Sequence, residues 1–459
     1  MNRGSRVQKP FFHALIIALF FTAGCKKVDT NPQPQFSEIQ RNAEALTGQE
    51  ITWHQNVEDS DFTNCITNLL SRELTADLAV YIALFNNRDL QGVYENLGIA
   101  KAQLVQAGLL KNPLFSFSYR FSTKSQVTDL IDLSLFQDVL DILLIPLKKR
   151  AAQAELEATK AMVMTKILDL IAHTKMAFYA LQASEQIWNL KKEVLLAAEL
   201  SYEVALRLHK AGNIRELDLS TERALYEQIK LEVATLEIGV LEVRERLNVL
   251  MGLWGNQLDW KFSSELPELP SSEEHLESVE SCAIASSFDL QLSYKDMLAT
   301  AARFGIDTTR IVFPQIAVGP SSERDDGVWY VGPAFALSIP FFDFGQANSA
   351  TARAEIDRQW NHFTALAVEI RSSARTTRFN LLNARRQSEY FRQVIIPLAE
   401  QITSLTTLQY NAMQFGVFTL LMTKQIEVEK KIRAIEIQRD YWTIKTELET
   451  LLRGHRLVR

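Results

Sequence analysis

The sequence predicts a mainly α-helical, internally duplicated chain with a small membrane β part of four strands. Three observations predict it. A shift of about 200 residues lays one half of the chain on the other. Each half holds a long stretch rich in Ala, Glu, Lys and Leu with few breakers, which reads as helix. Each half also holds a pair of short segments that alternate apolar and polar with period two, which reads as strand.

At 459 residues, 47% hydrophobic and 23% charged, the chain is long enough for a large core or two domains. A net charge of -6 leaves no basic footprint for nucleic acid. Past residue 25 no run of 18 apolar residues occurs, so no transmembrane helix is expected there. A β-structure that crosses a membrane would leave a far weaker signal. Residues 1–24 read as a signal peptide, with basic Arg3, Arg6 and Lys9, an apolar core at 11–21, and small residues before Cys25. Ala23-Gly24-Cys25 resembles the bacterial lipobox, in which the Cys becomes the lipid-modified N-terminus. Lys26 and Lys27 stand where an inner-membrane retention signal would place Asp, so the bacterial outer membrane is favoured, with Cys25 as lipid anchor.

Residues 25–65 read as the lipidated N-terminus and a linker. Cys65 and Cys282 could form a disulfide in an oxidising compartment, or stay as two buried thiols. The seven His are scattered without ligand spacing, so no metal site and no cofactor is expected. Gly-x-Ser-x-Gly, His-Glu-x-x-His and phosphate-binding Gly loops are absent, so the chain does not read as an enzyme.

Repeat one covers residues 66–266. Residues 69–110 read as helix, followed by strands at about 114–122 and 128–136. From 147 to about 209 the chain reads as one helix, ended by Lys210-Ala211-Gly212-Asn213, where Gly supplies a left-handed stop. A return helix follows, from about Glu216 to Leu250. Pro267, Pro270, Ser271 and Ser272 make a linker at 267–272. Repeat two covers 273–452, with strands at about 314–320 and 328–339, a helix from Gln346, a tip at Phe415-Gly416-Val417 where Gly416 reads as a left-handed stop like Gly212, and Pro397 as the one internal breaker. Residues 453–459 form a tail. Asn87-Arg88-Asp89-Leu90-Gln91 falls on Ser287-Phe288-Asp289-Leu290-Gln291, and Ala154-Glu155-Leu156 on Ala354-Glu355-Ile356, a shift of 200 each time. Setting Gly212 on Gly416 raises the shift to 204, about one helical turn more.

In the first strand Phe115, Phe117, Tyr119 and Phe121 fall on one face, and Ser116, Ser118, Arg120 and Ser122 on the other. Ile131, Leu133 and Leu135 alternate next. In the second half Ile316 and Val318 alternate, residues 321–327 read as a polar turn, and Phe335, Leu337 and Ile339 alternate with small residues. Trp329 and Tyr330 sit where an aromatic girdle would sit. Four strands cannot close a barrel, and lipid forbids an open edge. Several copies must therefore combine, and this argument alone does not choose three over two or four.

Ile339-Pro340-Phe341-Phe342-Asp343-Phe344-Gly345-Gln346 resembles the strand-to-helix turn of the TolC-type outer-membrane efflux family, with Pro340, Asp343 and Gly345 at its fixed places. The Asp-Leu run early in each half, the Gly at each helical turn and the duplicated order are similar to the same family, over residues 60 to about 452. The resemblance implies a homotrimer: a twelve-stranded outer-membrane β-barrel on a long periplasmic α-barrel of helical hairpins. It implies cargo handed over by an inner-membrane transporter through a periplasmic adaptor. It also implies that Ala211, Gly212, Asn213, Phe415, Gly416 and Val417 are adaptor-docking tips and that Asp218 stands at the periplasmic entrance, with Met422 as its second-half equivalent. The first-half counterpart of the strand-to-helix turn is residues 145–150, where Lys148, Lys149 and Arg150 read as a solvated cluster. A lipid-anchored periplasmic coiled-coil scaffold or adaptor is the rival reading, and it leaves the paired strands unexplained.

Overall fold

The computed structural model describes residues 28–54, 60–123, 128–273, 277–314 and 316–457. The expected signal peptide and the expected lipid anchor Cys25 lie outside the described residues. Two compact units emerge. The first gathers the chain up to Pro34, Gly98–Gln153 and Ala302–Gln346; the second gathers Gln35–Leu97, Ala154–Ala301 and Ala347–Arg459.

The elements follow the duplicated plan. Helices α1 (Gln33–Thr47), α2 (Ser60–Leu70), α3 (Ala76–Asn86) and α4 (Arg88–Ala107) precede strands β1 (Leu114–Arg120) and β2 (Leu130–Asp138). Helix α5 (Val139–Lys210) and return helix α6 (Glu216–Met251) close the first half. The second half holds α7 (Val279–Ser286), α8 (Phe288–Val312), β3 (Ile316–Asp325), β4 (Val328–Leu337), α9 (Gln346–Tyr390), α10 (Ile396–Asn411) and α11 (Val417–Leu452).

Several boundaries differ from the sequence reading. The expected linker before residue 65 contains α1, which buries Phe36, Ile39 and Ala43. Phe36 packs edge-on against Tyr94 at 5.1 Å and lies 5.4 Å from Trp53, so this segment is part of the core. The continuous helix expected over 69–110 is broken twice. Thr75 caps α3 by accepting from the Leu78 N–H at 3.2 Å, and Asn87 caps α4 by accepting from the Leu90 N–H at 2.9 Å.

Helix α5 begins at Val139, directly after β2, because Asp138 accepts from the Asp141 N–H at 3.1 Å. Pro146 therefore sits inside the helix, and the turn expected at 145–150 does not exist. Lys148 is not solvated either: it pairs with buried Asp141 at 2.6 Å, which Arg310 also holds at 2.5 Å. At 72 residues α5 is about 108 Å long for a rise of 1.5 Å per residue.

In the second half the helix survives Pro397 by widening. Phe391–Ile395 forms a π-turn, which absorbs the hydrogen bond that proline cannot donate. The seam at 267–272 is bound rather than loose. The Pro267 carbonyl accepts from Gln438 and Trp442 at 2.8 and 2.9 Å, and the Pro270 and Ser271 carbonyls accept from Arg385.

Both cysteines are free and exposed, so neither the disulfide nor the buried-thiol expectation holds for Cys65 and Cys282.

Candidate functional site: a two-faced sheet and two hairpin tips

The four strands form one antiparallel sheet in the order β1-β2-β3-β4. Its register fixes the faces, because residues paired across a ladder point to the same side. Phe115, Phe117 and Tyr119 pair with Leu135, Leu133 and Ile131. The same face continues through Val318 and Pro320 to Phe335 and Pro333, and through Ser322 and Arg324 to Val331 and Trp329. On the other side Ser116 and Ser118 pair with Ser134 and Asp132, which in turn oppose Ser321 and Glu323. Arg120 reaches Asp132 at 2.6 Å on this polar face.

The first face is mainly aromatic and aliphatic, with Ser322 and Arg324 near the hairpin end; the other is mainly small and polar, with Leu130, Phe136, Val328 and Tyr330 among its apolar members. Phe115, Phe117, Phe335 and Leu337 are exposed in the single chain. β3 runs to Asp325 and turns on Asp326-Gly327 alone, so the polar turn expected over 321–327 is mostly strand. Gly327 and Asp326 take the positive φ that a two-residue hairpin demands. At Gly319 a Cβ would fall 1.6 Å from the Leu135 carbonyl oxygen, so only glycine lets β3 lie this close to β2.

In the second half residues 338–345 lead from β4 to α9. Gly345 adopts φ 77 and donates its N–H to Asp343 Oδ1 at 2.8 Å, while the Phe344 N–H reaches Gln346 at 3.0 Å. Pro340 precedes this turn, outside β4. Phe341, Phe342 and Phe344 around it are exposed.

The two hairpin tips differ from each other. At the first, Gly212 takes φ 77, and the Asn213 N–H reaches back to the Leu208 carbonyl at 2.8 Å, closing a left-handed helix stop. At the second, the left-handed residue is Met413 at φ 57, with the Gln414 N–H on the Gln409 carbonyl at 2.9 Å. Gly416 has φ -78 and caps the start of α11, so the reading of Gly416 as a left-handed stop is corrected. The structural match for Gly212 is Met413. Return helices α6 and α11 are both 36 residues long and start at Glu216 and Val417, so no extra turn separates the halves.

Asp218 then corresponds to Thr419 and not to Met422. Asp218 is the third residue of α6: it accepts from the Arg215 N–H at 3.3 Å and pairs with the Arg215 guanidinium at 3.2 Å. Arg215 holds the Asp218 carboxyl below its usual range through these bonds.

Of the tip residues, Ala211, Gly212, Asn213, Phe415 and Gly416 are exposed and Val417 is half-buried. A Cβ on Gly212 or Gly416 would meet nothing within 4 Å. The two hairpins pack beside each other. Val194, Ala198, Ile229, Val233 and Val428 form one buried cluster, and α5, α6 and α11 line one groove of about 510 Å³. Ala198, Ile229 and Val428 each lie about three to five turns from their own tip, so both tips face the same way.

The Asp-Leu run proves to be a clamp on the return helices, a role the sequence reading did not assign. Asn86 donates to the Met251 and Gly252 carbonyls at 2.9 and 2.8 Å, and Asn87 to Leu250 at 2.9 Å. In the second half Ser286 donates to Leu452 at 2.8 Å, and Asp289 accepts from the Arg456 N–H at 2.8 Å. His455 lies between Asp289 and Asp169 at 3.0 and 3.6 Å. Burial opposes its charge, but hydrogen bonds to both carboxylates outweigh it and lift the pKa to about 9. The signal for this clamp was a Gly after each return helix, at Gly252 and Gly454.

Comparison with known proteins follows the same outline. No family model matches the chain. The cobalt-zinc-cadmium resistance protein CzcC of Cupriavidus metallidurans is 20% identical over 417 residues, covering 86% of this chain and 95% of that protein. The Campylobacter jejuni CmeC outer membrane channel superposes with a TM-score of 0.70 at 15% identity, covering 89% of this chain and 91% of that one. The Neisseria gonorrhoeae MtrE outer membrane channel in its open state gives 0.65 at 17% identity, with 83% and 89% covered. Duplicated helical hairpins, a four-stranded two-faced sheet and these likenesses agree: the chain has the fold of the TolC-type outer-membrane efflux family.

Proposed function

We propose that this chain is one protomer of a homotrimeric outer-membrane duct. Three sheets close into a twelve-stranded barrel, and cargo arrives from an inner-membrane transporter through a periplasmic adaptor docked on the hairpin tips. The observation that carries this reading is the sheet itself. Its mainly apolar face, its polar face and the two edges left unpaired among the described residues form a surface that water does not stabilise and that lipid tolerates only in a closed barrel. A lipid-anchored scaffold would need neither face. The helices enclose a passage rather than a reaction site, and the polar sheet face lines its outer end. Cys25 supplies a lipid anchor in the same membrane.

The test compares a deletion strain with the wild type for outer-membrane trimer and for cargo export. The wild-type protein is expected to migrate as a heat-modifiable trimer, and its loss to sensitise cells to a set of dyes, detergents and the cobalt, zinc and cadmium ions that one relative's name brings in. Palmitate label should disappear in Cys25→Ser while the trimer persists, because a barrel already holds the protein in the membrane. A detergent-independent monomer would point to the scaffold instead.

A further inference from the structure

We infer that a basic groove in the first unit, lined by Val28, Lys101, Leu104, Leu109, Lys149 and Arg150, seats the phosphate of an anionic phospholipid from the inner leaflet of the outer membrane. This rests on the reading that the sheet spans that membrane.

The argument starts from length. Strands of 7 to 10 residues, at about 3.3 Å each and a tilt of about 45°, span roughly 16–23 Å. That falls short of the ~25 Å apolar band of an outer-membrane barrel. The chain extends the band on the helical side of the sheet. Leu109 and Leu110, between α4 and β1, and Ile142 and Leu143, within the first two turns of α5, are exposed large apolar residues. About two turns away, Lys101 on α4 and Lys149 and Arg150 on α5 supply three cations. Apolar collar first and positive charge next is the order in which a protein surface meets hydrocarbon and then lipid phosphate.

The cations are available. Lys148, their neighbour, is committed to Asp141, but Lys101, Lys149 and Arg150 have no ion-pair partner among the described residues. Asp29 lines the groove as its one acidic group and accepts from the Asn31 N–H at 3.0 Å. The groove holds about 630 Å³, enough for a headgroup with the first carbons of its chains along Leu104, Val105 and Leu109. The stem of Lys149 lies across Gly108, where a Cβ would come within 2.4 Å of its Cε, so the ammonium is held over the groove. Cys25 precedes Val28 by only three residues, so a lipid-modified N-terminus would be tethered beside the same leaflet. Charge complementarity selects the occupant: three cations against one carboxylate match a headgroup of net negative charge and not a zwitterionic one, whose own cation cancels its phosphate.

The full chain, extracted in detergent, is titrated with short-chain phosphatidylglycerol and separately with phosphatidylcholine, and retained lipid is counted by native mass spectrometry. The wild type should retain phosphatidylglycerol at a concentration about tenfold lower or better. The triple variant Lys101→Gln, Lys149→Gln, Arg150→Gln should lose that preference, and the charge-keeping variant Lys101→Arg, Lys149→Arg should hold it. A triple variant that keeps the preference overturns the site. So does displacement of the lipid by millimolar inorganic phosphate, which would mark a free-anion site, or loss of adaptor co-purification with lipid preference intact, which would mark a protein partner. Carbonate extraction of membranes separates this from its premise. A wild type that washes off overturns the membrane reading and the site with it, whereas a wild type that resists, beside an unaffected triple variant, overturns the site alone.

Discussion

At the scale of single residues, two glycines carry more of the architecture than their place in the sequence suggests. Gly252 and Gly454 end the two return helices in left-handed conformation, at φ 68 and 111. A Cβ would stand 2.8 Å from the Asn86 carbonyl oxygen at the first and 2.3 Å from the Ser286 carbonyl oxygen at the second. The contacts are equivalent in the two halves, so the duplication preserved a backbone-on-backbone approach and not merely a pattern of apolar side chains. The left-handed strain alone costs about 1 kcal/mol for a non-glycine residue. The overlap with rigid backbone adds to it, since neither carbonyl can rotate away without releasing the Asn86 or Ser286 clamp. Gly252→Ala and Gly454→Ala are each expected to destabilise the helical unit by about 2 kcal/mol or more. Gly239→Ala, in the middle of α6 with nothing within 4 Å of its Cβ, should stabilise by up to ~1 kcal/mol. Heat-induced loss of helical circular dichroism measures all three, and equal midpoints for Gly252→Ala and Gly239→Ala would refute the close-approach account.

At the scale of elements, period and composition made most of the fold legible, while local capping and pairing were not. Strict alternation over Phe115, Phe117 and Tyr119 placed β1 and both of its faces, because side-chain direction in a strand follows from position alone. β3 is longer than its local sequence suggests, because Ser321, Ser322, Glu323 and Arg324 look like turn residues. They are strand residues held by pairing to β2 and β4, a tertiary effect that no local window contains. Helix α5 starts eight residues before the boundary that Pro146 suggests, since a helix tolerates this proline at the loss of one hydrogen bond. The second tip misled for a different reason. Gly416 attracted the left-handed assignment that Met413 holds, because glycine is the usual occupant of such a position. The two faces of β1 yield a direct test. Phe117→Arg puts a charge on the apolar face and should weaken the barrel by about 2–4 kcal/mol if it lies near the bilayer midplane. Ser118→Arg, one residue along and on the polar face beside Asp132, should be tolerated. Urea-titrated, heat-modifiable migration in lipid reads the difference, and equal damage at both sites would remove β1 from the membrane.

At the scale of the whole molecule, the duplication makes two hairpins alike in length and direction but unlike in chemistry at their tips. The first tip is small and polar, with Ala211, Gly212 and Asn213 followed by the Arg215–Asp218 pair. The second presents Met413, which is 93% exposed, and Phe415 beside it. Met413 also carries a left-handed backbone that glycine would adopt without strain, at a cost of about 1 kcal/mol. An exposed apolar side chain kept in a strained conformation contributes nothing to folding that glycine would not supply better. Its retention is explained if the side chain itself makes a contact outside the protomer. On the docking reading that contact is with the adaptor, repeated in three copies around the entrance. Met413→Gly is therefore the informative substitution. It should leave the trimer as abundant as the wild type and slightly more stable, because the strain is relieved, yet lower export several-fold, because three apolar contacts vanish together. Phe415→Asp should lower export further without changing trimer abundance. Gly416→Ser should do neither, since serine is a good helix cap at φ -78 and the site is open. Export assayed beside outer-membrane trimer distinguishes the cases. Full export from Met413→Gly would reduce the second tip to a turn, and a lost trimer would assign it to assembly.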